Sequence, residues 1–190
     1  MNDATPVLHR ISGVTDPAPS KAVLGEKILS LIGMPQYVSE AGIAANDINT
    51  RGMCAAVENR NSVYWDEAVA REILGEAYCP ATMLAAWGRP ELWEPGRDKA
   101  LKALQCHFDL KDLLGFSASM AVSYTITFYE PVAIGDRLKT QQVVKAIGDL
   151  KTTKLGQGRF WTIEMQYLSE NSDLVGIESY EFFGFEKDRT

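Results

Sequence analysis

Apolar and polar residues alternate in the second half of the chain, which is the pattern of β-strands with one face toward a core. The pattern predicts a half-buried strand over residues 119–128, a weaker strand over 138–147 and two further strands over 160–168 and 174–185. In the third strand, one face should carry Trp161, Ile163, Met165 and Tyr167. Turn residues separate the segments, so we expect four antiparallel strands.

The first half of the chain predicts short helices instead. Apolar residues recur at helical spacing over residues 22–32, and Asn46 and Asp66 are expected to cap helices over 47–58 and 66–74. A third helical segment over 82–87 is interrupted at once by Gly88 and two prolines. Helices followed by an antiparallel sheet predict an α+β fold, because a helix must cover the apolar face of such a sheet.

Length and composition favour a single globular domain. The 190 residues suit one core, and 46% hydrophobic with 23% charged residues is ordinary for a soluble protein. Residues 1–20 contain Pro6, Pro17 and Pro19 and are predicted to be a loose lead-in to a domain over 21–190. No apolar run reaches the ~18 residues of a membrane span, so we expect a cytoplasmic protein that contacts no membrane.

Charge and cysteine content exclude several other classes. The net charge is −6 and the basic residues are scattered, which argues against binding to nucleic acid. The three cysteines are odd in number and widely spaced, so free thiols are expected rather than disulfides or a zinc site. With only His9 and His107 in the chain, histidine-based catalysis and metal binding have few options. We interpret His107 as a surface or core-edge residue.

Two stretches of sequence carry a family resemblance. The first is ENRNSVYWDEAVAREILGEAYCPAT over residues 58–82, and the second is YEPVAIGDRL over 129–138 followed by 151–167. Their order and spacing resemble the N-terminal-type domain of MaoC-like dehydratases, also described as a fatty-acid-synthase-like dehydratase domain. The resemblance implies a hot-dog fold, in which an antiparallel sheet wraps around a central helix. It also implies substrates carried as acyl thioesters on coenzyme A or acyl carrier protein, with no other cofactor.

The resemblance also implies a degenerate catalytic site. Active relatives carry an Asp and, five residues later, a His that activate water, and these positions fall on Asn59 and Tyr64 here. Asn cannot ionise, and Tyr with an ordinary pKa near ~10 is a poor base at pH 7. The His-Gly that opens the central helix in relatives is replaced by Pro80–Ala81. The chain therefore resembles the non-catalytic half of a two-part hydratase.

In such halves the central helix is often shortened, which opens space for bulky acyl chains, and the break at Gly88 fits that pattern. The predicted substrate-binding residues follow from this comparison and are Asn61, Trp65, Pro80, Thr82, Met83, Leu84, Trp87, Leu92 and Trp93. The aromatic members of this set are equally compatible with a place in the core. The expected partner is a catalytic MaoC-like hot-dog subunit or, without one, a second copy of the chain.

Two other functions remain open from the sequence. The chain could be a self-contained hot-dog thioesterase that uses Glu91 or Glu58, although both side chains are of a type usually found on solvated surfaces. It could also bind an acyl ligand without any catalytic partner.

Overall fold

A single antiparallel sheet of six strands organises the chain in the computed structural model, which describes residues 23–186. Its strands are β1 (Pro35–Glu40), β2 (Ala118–Phe128), β3 (Lys139–Ile147), β4 (Lys151–Thr153), β5 (Gly156–Leu168) and β6 (Leu174–Phe185). The strand order is β1-β3-β5-β6-β2, and the short β4 pairs with β5. The four predicted strands are thus confirmed, and β1 and β4 add to them. The predicted lead-in over residues 1–20 lies outside the described residues.

The inner face of the sheet is set by alternation along β5. Trp161, Ile163, Met165 and Tyr167 are all buried and point to the same side, as predicted. In register, Ile163 pairs with Val144 of β3 and with Tyr180 of β6. Long apolar side chains on three adjacent strands form a continuous surface that helices must cover.

The helices are short, and their starts follow local capping rules. They are α1 (Glu26–Leu29), α2 (Asp47–Ala56), α3 (Glu67–Leu74), α4 (Leu84–Trp87) and α5 (Gln105–Leu113), with 3-10 turns at Ser62–Tyr64 and Ala81–Met83. The Asn46 side chain accepts a hydrogen bond from the Asn49 amide at 2.9 Å, and Asp66 accepts one from the Ala68 amide at 2.9 Å. Both predicted caps are therefore confirmed. The helix predicted over 22–32 is regular only within α1.

Two helical segments share the inner face of the sheet. Met83, Leu84 and Trp87 pack with Met165 and Tyr167 at one end of β5. At the other end, α5 packs over Trp161 and Ile163. Between the two segments, Gly88 lies against the ring of Tyr167 so closely that a methyl group there would overlap it. The fold is thus the predicted hot dog, with a central helix reduced to one turn of 3-10 helix and the four residues of α4.

Two expectations need correction. The helix α5 was not predicted at all, and it supplies Cys106, Leu110 and the neighbouring Leu114 to the core. The strand β2 is not half-buried, because it forms one edge of the sheet and most of its residues are exposed. The helices cover β3, β5 and β6, whereas on β2 Ile126 is only partly buried against the core and most other residues are exposed.

Candidate functional site

The segment that the family resemblance predicts to carry the two degenerate catalytic positions, Asn59 and Tyr64, begins as a tight turn after α2. The Asn59 amide donates to the Cys54 carbonyl at 2.8 Å, and Glu58 adopts a left-handed conformation with φ of 53°. The side-chain oxygen of Asn59 accepts a hydrogen bond from the backbone amide of Asn61 at 3.0 Å. The backbone carbonyl of Asn59 accepts one from the indole of Trp65 at 2.7 Å. The side chain of Asn59 is therefore used to shape the turn.

Tyr64 follows this turn and lines a cleft of about 310 Å³. The lining includes Thr50 and Arg51 of α2 together with residues of the 3-10 turn and of α3. Trp65 and Tyr78 add two further aromatic side chains. Asn59 does not belong to the cleft lining, so the structure brings only one of the two predicted positions to it.

Charged groups around the cleft are mostly acidic. The lining contains two arginines and four carboxylates, namely Arg51, Arg71, Asp47, Asp66, Glu67 and Glu76. Arg71 forms an exposed ion pair with Glu67 at 2.6 Å, and Asp66 is occupied as the cap of α3. The lining includes neither histidine nor cysteine. The cleft offers polar contacts and aromatic surface, but it lacks the carboxylate–imidazole pair that adds water to an enoyl thioester.

His107 lies in the core and not at the surface or core edge, which corrects the expectation from sequence. Its side chain is 4% exposed and stacks on Phe182. The Trp161 indole donates to Nδ1 at 3.2 Å, so Nε2 carries the proton and donates to Ser119 Oγ at 3.1 Å. This tautomer cannot remove a proton from Ser119, so the pair is not a nucleophile and its base.

Burial also keeps His107 neutral. Desolvation, followed by the charges of Lys111 and Lys102, lowers its pKa to about 4, and Asp112 opposes this shift weakly. An imidazole with that pKa is uncharged at neutral pH and is engaged on both nitrogens. His107 therefore acts as a structural residue.

The predicted substrate-binding residues fall into separate environments. Met83, Leu84 and Trp87 are buried in the core, and Pro80 is buried beside them. Exposed positions are taken by Asn61, Thr82, Leu92 and Trp93. Only Trp65 reaches the cleft. For the other residues, a role in binding substrate stays a prediction, and the structure assigns the three core side chains a packing role.

Neither carboxylate proposed for a thioesterase lines the cleft. Glu58 is exposed on the turn before Asn59. Glu91 is exposed on the loop after the helix break, where it packs against Gly42 and its carbonyl accepts from Arg97 at 2.8 Å. The two side chains thus lie on the surface, as their residue type suggested.

A buried carboxylate that sequence reasoning missed lies on the inner face of the sheet. Glu178 of β6 is 5% exposed and accepts hydrogen bonds from three tyrosines, Tyr124 at 2.5 Å, Tyr167 at 2.6 Å and Tyr180 at 3.2 Å. Burial, and then the charge of Glu178, raise the pKa of Tyr180 to about 12, and the positive charge of Arg89 acts against them. We call these four residues the Glu178 cluster. Its members share no residue with the cleft.

The described residues show few features of other site types. They contain no group of three or more His, Cys, Asp or Glu side chains placed to hold a metal ion. Cys54, Cys79 and Cys106 are buried free thiols, as expected. Within residues 23–186, no helix has the length and apolar character needed to cross a membrane.

Comparison with known proteins agrees with this fold. The family model for the FAS1-like, dehydratase domain region matches residues 30–177. A curated relative, the probable enoyl-CoA hydratase alpha subunit of Thermomonospora curvata, is 28% identical over 144 residues, which is 71% of this chain. The chain spans only 43% of the length of that relative.

Solved structures share the fold at low sequence identity. A chain of the ChsH1-ChsH2 complex from Mycobacterium tuberculosis superposes with a TM-score of 0.67 at 18% identity, covering 87% of this chain and 92% of that chain. The MaoC-like dehydratase from Rhodospirillum rubrum gives a TM-score of 0.53 at 14% identity, covering 80% and 92%. These similarities establish the architecture.

Proposed function

Because the chain belongs to the FAS1-like dehydratase domain family and has the MaoC-like hot-dog fold, we propose that it is a non-catalytic, acyl-thioester-binding subunit of a heteromeric enoyl-thioester hydratase or dehydratase. Its substrate would be an acyl group on coenzyme A or acyl carrier protein. The reacting acid and base would come from a second hot-dog domain.

The composition of the cleft carries this proposal. By the family resemblance, Tyr64 stands where active relatives carry the histidine. It lines the cleft, whereas the Asn59 side chain accepts a hydrogen bond within the turn. His107, the histidine within the described residues, is hydrogen-bonded to Trp161 through one ring nitrogen and to Ser119 through the other. A domain that keeps the fold and the cleft but lacks the proton-transfer pair can bind a thioester without hydrating it.

The open edge of the sheet supports a partner. The inner face of β2 exposes Tyr124 and Phe128, and Val122 is exposed beside its bulge. The unpaired backbone of such a strand can form hydrogen bonds with an edge strand of a second sheet. The curated relative is called an alpha subunit, and the structural neighbour in M. tuberculosis was solved as a complex of two proteins. A hot-dog partner for this chain is consistent with both names.

Enzyme assays on the chain alone and with a partner test the proposal. The isolated chain should bind a long-chain acyl-coenzyme A in calorimetry yet leave crotonyl-coenzyme A and longer 2-enoyl-coenzyme A esters unhydrated. Co-expression with a MaoC-like hot-dog protein that carries the Asp and His should give hydration, followed as loss of the enoyl-thioester absorbance. Full hydratase activity of the isolated chain would refute the non-catalytic assignment.

A conservative variant separates binding from catalysis within the complex. Tyr64→Phe keeps the ring in the cleft and removes the only proton that Tyr64 could transfer. If Tyr64 acts as an acid or base, the complex should lose about 10²-fold or more in kcat. We expect Tyr64→Phe to leave the kcat of the complex within about twofold, because Tyr64 takes no part in proton transfer under the proposed function. Release of free thiol from saturated acyl-coenzyme A esters would instead support a thioesterase.

A further inference from the structure

The Glu178 cluster is assembled from three strands. Tyr124 comes from β2, Tyr167 from β5 and Tyr180 from β6, and each hydroxyl donates to the carboxylate. Oε2 accepts from Tyr167 and Tyr180, whereas Oε1 accepts only from Tyr124. A carboxylate oxygen can accept two hydrogen bonds, so Oε1 has room for one more donor.

The surroundings of the cluster are apolar. In register, the neighbours of Glu178 are Met165 on β5 and Ile126 on β2. Leu84 of the shortened central helix packs over Gly176, two residues before Glu178. The cluster is thus a polar group of residues on an otherwise apolar part of the inner face.

A purely structural role accounts poorly for this choice of residues. Burying a carboxylate costs several kcal/mol before its hydrogen bonds offset that cost. Well-packed apolar side chains would fasten β2 to β6 without the cost, since replacing buried polar groups in this way is often neutral or stabilising. A buried polar network kept on an apolar wall is a feature of sites that orient a ligand.

Solvent exposure and charge indicate what the ligand group is. Tyr124 is 50% exposed, so the cluster can be reached from the open side of β2. Arg89 directly follows Gly88, which lies against the ring of Tyr167, and its charge partly offsets the rise in the pKa of Tyr167 and Tyr180. Arg89 is exposed and forms no hydrogen bond or ion pair with any other described residue. A cation would be repelled by Arg89 and an anion by Glu178. A hydroxyl group satisfies both, because it can donate to the carboxylate and accept from the guanidinium.

We propose that Glu178, Tyr124, Tyr180 and Arg89 form a recognition site for a hydroxyl group on the acyl chain of the substrate. The inference rests on the proposed function, since it assumes an acyl-thioester ligand. The hydroxyl lies on a part of the chain away from the thioester, because the cluster and the cleft at Tyr64 have no lining residue in common.

Calorimetry with matched ligands tests the site. Saturated acyl-coenzyme A esters of long chain length are compared with the same esters hydroxylated at successive positions along the distal half of the chain. The wild-type protein should bind at least one hydroxylated ester about fivefold to tenfold more tightly than its unsubstituted counterpart, as expected for one well-placed hydrogen bond. Tyr124→Phe and Arg89→Met should each reduce that preference to about twofold or less.

Matched variants keep the test specific. Tyr129→Phe removes a tyrosine hydroxyl that is exposed and outside the cluster, and it should keep the full preference. Circular dichroism melts establish that each variant is folded. If the wild-type protein binds the unsubstituted esters but shows no preference for any hydroxylated one, the site is refuted while the proposed function stands. Failure to bind any ester would refute the proposed function itself.

Discussion

The stability of the protein should depend on pH through His107. In the folded chain, its neutral imidazole accepts a hydrogen bond from Trp161 and stacks on Phe182. Protonation would break the bond from Trp161, because both donors would then face each other. His107→Gln removes the titrating group while keeping an amide that can accept and donate in the same place.

The size of the effect follows from the two pKa values. The folded pKa is lowered from 6.5 to about 4 by burial and by two nearby lysines. At about 1.4 kcal/mol for each pKa unit, the free energy of unfolding at low pH should be about 3 kcal/mol smaller than at neutral pH. The decrease begins as the pH falls below 6.5, because His107 then becomes protonated in the unfolded chain while it stays neutral in the folded chain. It levels off below about pH 4, where His107 is protonated in both states.

Urea unfolding of both proteins at a series of pH values between about 4.5 and 8 measures this dependence. His107→Gln should be the less stable protein at pH 7.5, because it loses the stacking on Phe182. The gap between the two proteins should then narrow by about 2 kcal/mol as the pH falls to about 5. Carboxylates titrate in both proteins, so they cancel in the difference. Parallel stability curves would show that His107 is not the buried neutral residue described above.

Three further predictions concern the helix break, a cap and the open edge. In urea titrations, Gly88→Ala should lower the free energy of unfolding by about 2–3 kcal/mol, because the new methyl group overlaps Tyr167. The control Gly52→Ala has nothing near its added methyl group and should stabilise α2 by about 0.5–1 kcal/mol. Equal effects would contradict the tight packing at the break. Asp66→Ala should lower the free energy of unfolding by about 1 kcal/mol, and with it the thermal midpoint, because it removes the cap of α3. Val122→Lys should weaken assembly with a hot-dog partner at least about tenfold in analytical ultracentrifugation, and unchanged assembly would place the interface elsewhere.

Local rules made part of the fold predictable. Asn46 and Asp66 precede helical sequence and cap it, because a side-chain oxygen two or three residues before a free amide binds that amide whatever the rest of the fold does. The alternation over β5 identified its buried face for a similar reason. The family resemblance supplied the hot-dog architecture, whereas the cleft beside Tyr64 was not predicted.

Features that depend on distant parts of the chain were missed. The apolar spacing of Cys106, Leu110 and Leu114 could have identified α5, but its start has no side-chain cap to mark it. Alternation in β2 distinguishes its two faces, yet whether a face is covered depends on elements elsewhere. The Glu178 cluster joins residues from three strands, so no local pattern reveals it.

The composition of the β2 edge also has a consequence for how the protein is produced in a cell. Its eleven residues, ASMAVSYTITF, contain no charged residue and no proline, the features that usually prevent an edge strand from pairing with copies of itself. Newly made chains in excess of whatever covers this strand are therefore at risk of self-association and removal by quality control. The amount of functional assembly would then be limited by whichever of the two, the chain or its partner, is made in the smaller amount.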